Sequence, residues 1–141
     1  MSSRADLPTI EGENTAAWAA ARERRLVIAR CHACGAAHHY PRPMCPTCWS
    51  EDVSLEDATG RGTVYTYSTV HVNDLPPFNE QLPYIAAAVD LEEGPRLVTR
   101  LVDCAEEDLQ IGMPVEPVFV DLTDEVTVVH FRPRLVEGNQ P

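Results

Sequence analysis

A chain of 141 residues with 44% apolar and 23% charged side chains has room for one ordinary domain, or two small modules sharing a boundary, and its composition is that of a folded protein. All 11 basic residues are arginine, which excludes a lysine Schiff base and a P-loop lysine within the chain. The formal net charge is −11, and residues 51–141 set five arginines against 18 acids, a surface that repels a polyanion.

The opening "MSSRADLPTIEGENT" has no apolar signal core, and runs such as "LVIA" and "IAAAV" are too short to span a bilayer. A cytoplasmic protein without membrane contact is expected. Residues 14–28, "NTAAWAAARERRLVI", predict a helix capped by Asn14 or Thr15, with Trp18, Ala21, Arg25 and Ile28 along one stripe. Trp18 and Leu26 either pack on the rest of the fold or, on so small-sided and arginine-rich a helix, Trp18 anchors a partner.

The stretch "CHACGAAHHYPRPMCPTC" follows, with two C-x-x-C pairs. In a reducing compartment such pairs bind metal rather than form disulfides. Gly35, directly after Cys34, supplies a turn with positive φ. Cys31, Cys34, Cys45 and Cys48 would close a tetrahedral zinc shell with no open position, a structural site. His32, His38 and His39 are alternative ligands nearby. "YPRP" (40–43) reads as an extended connection between the knuckles.

After "SEDVSLEDATG" (50–60) the pattern changes to period two. "GTVYTYSTVHV" (62–72), "PYIAAAVDL" (83–91), "PRLVTRLVD" (95–103), "MPVEPVFVDL" (113–122) and "EVTVVHFRP" (125–133) predict five strands with no substantial helix, hence a small closed barrel. The loop "NDLPPFNEQL" (73–82) is its longest insertion, either a plain hairpin connection or a functional loop.

The order "RLVIARCHACG", "PRPMCPTC", "GRGTVYTYSTV", "PYIAAAVDLEEGPRLVTRLV", "IGMPVEPVF" and "FRP" resembles a thiolase-associated family, once catalogued only as a domain of unknown function, over about residues 16–133. The resemblance implies a mainly β fold with an N-terminal helix: a helical segment (1–28), a rubredoxin-like zinc ribbon (29–57) and a five-stranded OB-fold barrel (58–141). It also implies an accessory subunit of thiolases, C-acyltransferases or steroid side-chain aldolases. Such a subunit binds a thiolase-like protein and helps it handle an acyl-CoA substrate at the shared interface. A dimeric partner would recruit two copies into an α2β2 heterotetramer.

On that reading the chain carries one structural Zn2+ and no catalytic residue of its own, and catalysis resides in the partner. Arginines would meet CoA phosphates and apolar walls its pantetheine arm. Candidate CoA or partner contacts are Trp18, Arg22, Arg25, Arg42, Tyr65, Tyr67, His71, Phe78 and Tyr84, with Arg24 and Arg30 in the same arginine-rich segment. Each arginine could instead form a solvated ion pair, and each aromatic could pack in or beside the barrel core. Zinc ribbons and OB-folds also bind single-stranded nucleic acid by stacking, but the acidic barrel lacks the basic groove this needs. A last alternative makes Cys104 a nucleophile with His71 or His130 as base, against an ordinary buried thiol.

Overall fold

The computed structural model describes residues 6–135. A single 3-10 turn, Gly12–Asn14, leads into helix α1 (Thr15–Arg22). Asn14 holds the N-cap position, but its side chain turns back: Oδ1 accepts from the Glu11 amide at 2.8 Å and Nδ2 donates to the Thr9 carbonyl at 2.9 Å.

The helix expected to run to Ile28 stops at Arg22. Arg24 turns into the left-handed region at φ 63°, and its amide donates to the Ala21 carbonyl while that of Arg25 donates to Ala20. That is the bond pattern of a Schellman cap, with arginine where glycine is the usual choice. The Arg24 guanidinium meets both carboxylate oxygens of Asp121 at 2.8 Å, which holds the cap against the barrel. The aliphatic run at the predicted C-terminal end, Leu26 to Ala29, is fully buried and opens a strand instead.

That strand, β1 (Val27–Cys31), is the centre of a three-stranded sheet with β2 (Ala37–His38) on one side and β3 (Val53–Asp57) on the other, both antiparallel. β2 and β3 were not legible: one is two residues long and the other exposes four of its five residues. The barrel comprises β4 (Gly62–Val70), β5 (Tyr84–Leu91), β6 (Arg96–Leu101), β7 (Pro114–Asp121) and β8 (Thr127–Pro133), closed in the order β4-β5-β6-β8-β7. All five were expected from period-two alternation, which β5 keeps without a break: Ile85, Ala87, Val89 and Leu91 point in.

The sheet and the barrel share one core. Leu26 and Ile28 belong to the same apolar cluster as Val64, Val89, Leu97, Leu101, Val115 and Phe131. Gly60 sits at the joint with φ +84°, and a Cβ there would lie 2.6 Å from Pro117 Cγ, so glycine is required twice over. The barrel closes narrowly. β6 and β8 run parallel and pair only at Leu101 and Phe131, assisted by the Thr99 hydroxyl, which donates to the Val129 carbonyl at 2.9 Å. α1 lies beside that seam.

Candidate functional site

Two local constructions carry the chemistry. The first is a pair of knuckles related by an internal pseudo-symmetry. In one, the Gly35 amide donates to the Cys31 carbonyl at 2.9 Å and the Cys31 amide to Ala36 at 2.9 Å. In the other, the Trp49 amide donates to the Cys45 carbonyl at 2.9 Å and the Cys45 amide to Ser50 at 2.8 Å. Both turns are left-handed, with φ 83° at Gly35, as expected, and φ 70° at Trp49. Amides also point at sulfur: Cys34 N–H toward Cys31 Sγ at 3.5 Å and Thr47 N–H toward Cys45 Sγ at 3.4 Å.

The knuckles bring Cys31, Cys34, Cys45 and Cys48 together with all four sulfurs within 4.8 Å of one another. Four thiolates at the usual zinc distance would lie about 3.8 Å apart. The sulfurs of Cys31 and Cys48 are 3.6 Å apart and those of Cys34 and Cys45 are 3.7 Å apart, so the donor set fits a tetrahedral ion that prefers sulfur, zinc or iron. Cys31 and Cys45 are buried, whereas Cys34 and Cys48 face solvent.

The Cys48 and Thr47 amides outweigh burial and draw Cys45 down to about 6. At Cys48 the Ser50 amide also lowers the pKa, but hydrogen bonding to Cys31 and burial lead the opposing effects that push it up to about 12. Holding a cation requires these thiols to give up their protons, so binding would be pH-dependent. The three neighbouring histidines stand outside it: the His32 ring is 2.6 Å from Ser54 Oγ, His38 Nε2 accepts from the Arg42 amide at 3.1 Å, and His39 stacks on Tyr40.

The second construction is a cleft of about 240 Å³ where α1, the segment after β2, and the open β6–β8 seam meet. Trp18, Ala21, Leu97, Val98 and Val129 give it apolar walls, while Arg25, His39, Arg100 and His130 supply nitrogen. Burial holds His39 down at about 4, aided by His38. Burial, then the Arg100 charge, also lowers His130. Arg100 is itself lowered by burial. Its guanidinium donates to Gln81 Oε1 at 2.9 Å and lies 4.1 Å from the centre of the Tyr84 ring.

The expected contact residues do not form one surface. Trp18 and Arg25 reach the cleft, and Trp18 faces Tyr40 with ring centres 6.4 Å apart. Arg25 is held by Glu23 at 2.6 Å and Asp57 at 2.7 Å. Arg22 turns toward Asp121 and Asp124, on a different face, and Arg42 lies beyond Tyr40 beside Pro41. Phe78 and Tyr84 pack at 6.2 Å, and the Tyr84 hydroxyl accepts from Asn73, so the long loop folds onto the barrel next to Arg100. Tyr65 is exposed on the outer wall beneath Arg96, Tyr67 packs on the core, and His71 is exposed past the end of β4.

Arg100 is the residue that sequence reasoning missed, and it links the Tyr84 cluster to the cleft. Its signal was present in "PRLVTRLVD": an arginine in alternation with Val98 on the outward row of a strand. Cys104 packs against the core, and its thiol is pushed up by burial first and then by Asp108 and Asp103, the opposite of what activates a nucleophile.

Residues 18–54 match the family described as "ChsH2, rubredoxin-like zinc ribbon domain", and residues 55–120 match "ChsH2, C-terminal OB-fold domain". A probable enoyl-CoA hydratase alpha subunit of Thermomonospora curvata is 44% identical over 126 residues, covering 89% of this chain but only 39% of that protein. A DUF35 domain-containing scaffold protein of Methanocaldococcus jannaschii is 43% identical over 107 residues, covering 72% of this chain and 73% of the relative. Among solved structures, a chain of the Ltp2-ChsH2(DUF35) aldolase is 43% identical with a TM-score of 0.80, covering 90% of this chain and 98% of that one.

Proposed function

The chain belongs to the family of ChsH2-type zinc-ribbon and OB-fold proteins, and from that premise we propose that it is a noncatalytic accessory subunit of a thiolase-like enzyme acting on an acyl-CoA thioester. The observation that carries this reading is the likeness, over 90% of this chain and 98% of the other, to a chain of the Ltp2-ChsH2(DUF35) aldolase. The four cysteines hold one structural Zn2+, because a shell of four thiolates leaves no position for water or substrate. When bound, the ion cross-links the two knuckles and takes no part in the reaction. Two copies of the chain flank a dimeric partner.

The cleft is the part of this chain that meets the thioester. Arg100 is partly desolvated and donates to the neutral Gln81, with Tyr84 and Asp6 acting on it through space, so a phosphate or carboxylate would gain more from it than from Arg25, whose two carboxylates already occupy it. Trp18, Val98 and Val129 offer apolar wall alongside. The chain would thus position the CoA arm while the partner performs bond making and breaking.

The test is reconstitution. The tagged chain is co-expressed with the thiolase-like protein from its own source, and turnover of acyl-CoA is measured for the chain alone, the partner alone and the pair. Turnover by the pair, and none by the chain alone, is the expected pattern. Arg100→Leu should raise the KM for acyl-CoA about tenfold, roughly the loss of one charge-assisted hydrogen bond, with the complex intact on gel filtration. Acyl-CoA turnover by this chain alone would refute the reading.

A further inference from the structure

Among the described residues, three that are not glycine hold a positive φ: Arg24, Trp49 and Asp103. Two have evident reasons. Arg24 is clamped by its paired bonds to Asp121, and aspartate is among the side chains that tolerate the left-handed region. Trp49 has neither. A bulky side chain at φ 70° is costly, and the matching position of the first knuckle, with the same amide-to-carbonyl bond, is filled by Gly35. The turn itself therefore has no use for an indole.

The indole is not recovered by packing either: Trp49 is 75% exposed. Isolated exposed apolar residues are ordinary, but here exposure and backbone strain fall on the same residue. Its surroundings add to the contrast. Residues 43–50, "PMCPTCWS", contain no aspartate, glutamate or arginine in a chain of net charge −11, and Met44 among them is also exposed. The stretch ends at once in Glu51 and Asp52, both exposed.

We infer that Trp49 is the anchor by which the second knuckle docks on the thiolase-like partner, entering an apolar pocket with a basic rim that faces Glu51 and Asp52. The pattern is that of an interface hot spot: one large aromatic, neighbours without acidic or basic side chains, and acids at the edge that set the register. The cysteine knuckle supplies rigidity, so that the indole is presented without the entropy loss of ordering a loop. This inference rests on the accessory-subunit reading and assigns that subunit a specific docking point, separate from the Arg100 cleft.

The experiment uses the full chain, its metal in place, and the purified thiolase-like protein. Trp49→Gly copies the first knuckle, so its thermal midpoint and metal content should equal or exceed those of the wild type. Its Kd for the partner should rise at least about thirtyfold, the size of a hot-spot loss. Labelling this chain alone with 5-fluorotryptophan gives two 19F resonances, one for each tryptophan, and the one missing from Trp49→Gly should move on addition of partner.

A Kd within about threefold of wild type, or an unmoved Trp49 resonance, overturns the inference while leaving the parent reading in place. So does a Trp49→Gly chain that loses metal or melts earlier, since the indole would then serve the knuckle itself. Self-association of the isolated chain that Trp49→Gly abolishes reassigns the tip to a second copy. A wild-type chain that does not bind the thiolase-like protein at all defeats the accessory reading and this inference with it.

Discussion

Replacing Cys31 with serine should unfold the knuckle end of the ribbon and leave the barrel folded. The four knuckle bonds, Gly35 to Cys31, Cys31 to Ala36, Trp49 to Cys45 and Cys45 to Ser50, contribute about 1 kcal/mol each, about 4 in all. Ordering residues 31–50 costs about 1 kcal/mol per residue at the low end, hence about 20. Apolar burial there is slight, with Cys31, Pro41 and Cys45 the fully buried members. The missing contribution is about 16 kcal/mol, at the upper end of what a structural zinc supplies. The other end of β1 stands differently, because Leu26 and Ile28 lie in the barrel core and the Ala58 amide donates to the Leu26 carbonyl at 2.8 Å. Hydrogen exchange read by mass spectrometry, on Cys31→Ser and on chelator-treated wild type, should therefore show protection lost at the Gly35, Cys45 and Trp49 amides and retained through β5 and β6. Parallel loss of protection in β5 and β6 would refute the reasoning, since the ribbon and barrel would then unfold as one unit.

Gly60→Ala should destabilise the whole chain by about 2 to 4 kcal/mol, combining left-handed strain with the contact to Pro117, as read from the shift of a urea midpoint at constant m-value. His39 carries a pH signature. Its folded pKa of about 4 lies below the unfolded 6.5, so its contribution is complete above pH 6.5 and falls away as pH drops from 6.5 toward 4. His39→Phe should flatten the stability profile across that window by up to about 3 kcal/mol relative to wild type, in urea titrations at several pH values. Identical slopes would mean that the ring is already solvated in the fold.

The barrel was legible because its strands are half-buried and antiparallel, so burial itself writes a period of two into the sequence, as in β5. The metal centre was legible because its ligands lie within 18 residues and the spacing C-x-x-C encodes the turn. The C-terminal end of α1 was not. Leu26 to Ala29 continues a helical composition, yet these residues are needed in the shared core, and burial outweighed propensity. β3 escaped notice because it is an edge of the ribbon sheet whose exposed positions, Ser54, Leu55, Glu56 and Asp57, include three polar ones.

The arginines show how a local charge count can mislead about a site. Six of the 11 fall in residues 1–50 against four acids, which reads as a surplus available for phosphate. The fold uses three of them between elements: Arg24 ties the end of α1 to β7 through Asp121, Arg25 ties it to β3 through Asp57, and Arg30 ties β1 to β3 within the ribbon sheet through Glu56 at 2.8 Å. Two of the three acids lie in the segment just after the knuckles and the third lies far down the chain, so each pair was invisible to a count made by segment. Exposed pairs of this kind add little stability singly. Their effect is positional, since they fix helix, ribbon and barrel around one cleft and occupy the cations that would otherwise compete for an anion there. Arg100, which donates to a neutral partner, comes from the acidic half, where composition alone argued against it, and the cleft that it lines runs along the seam where β6 and β8 pair at a single position.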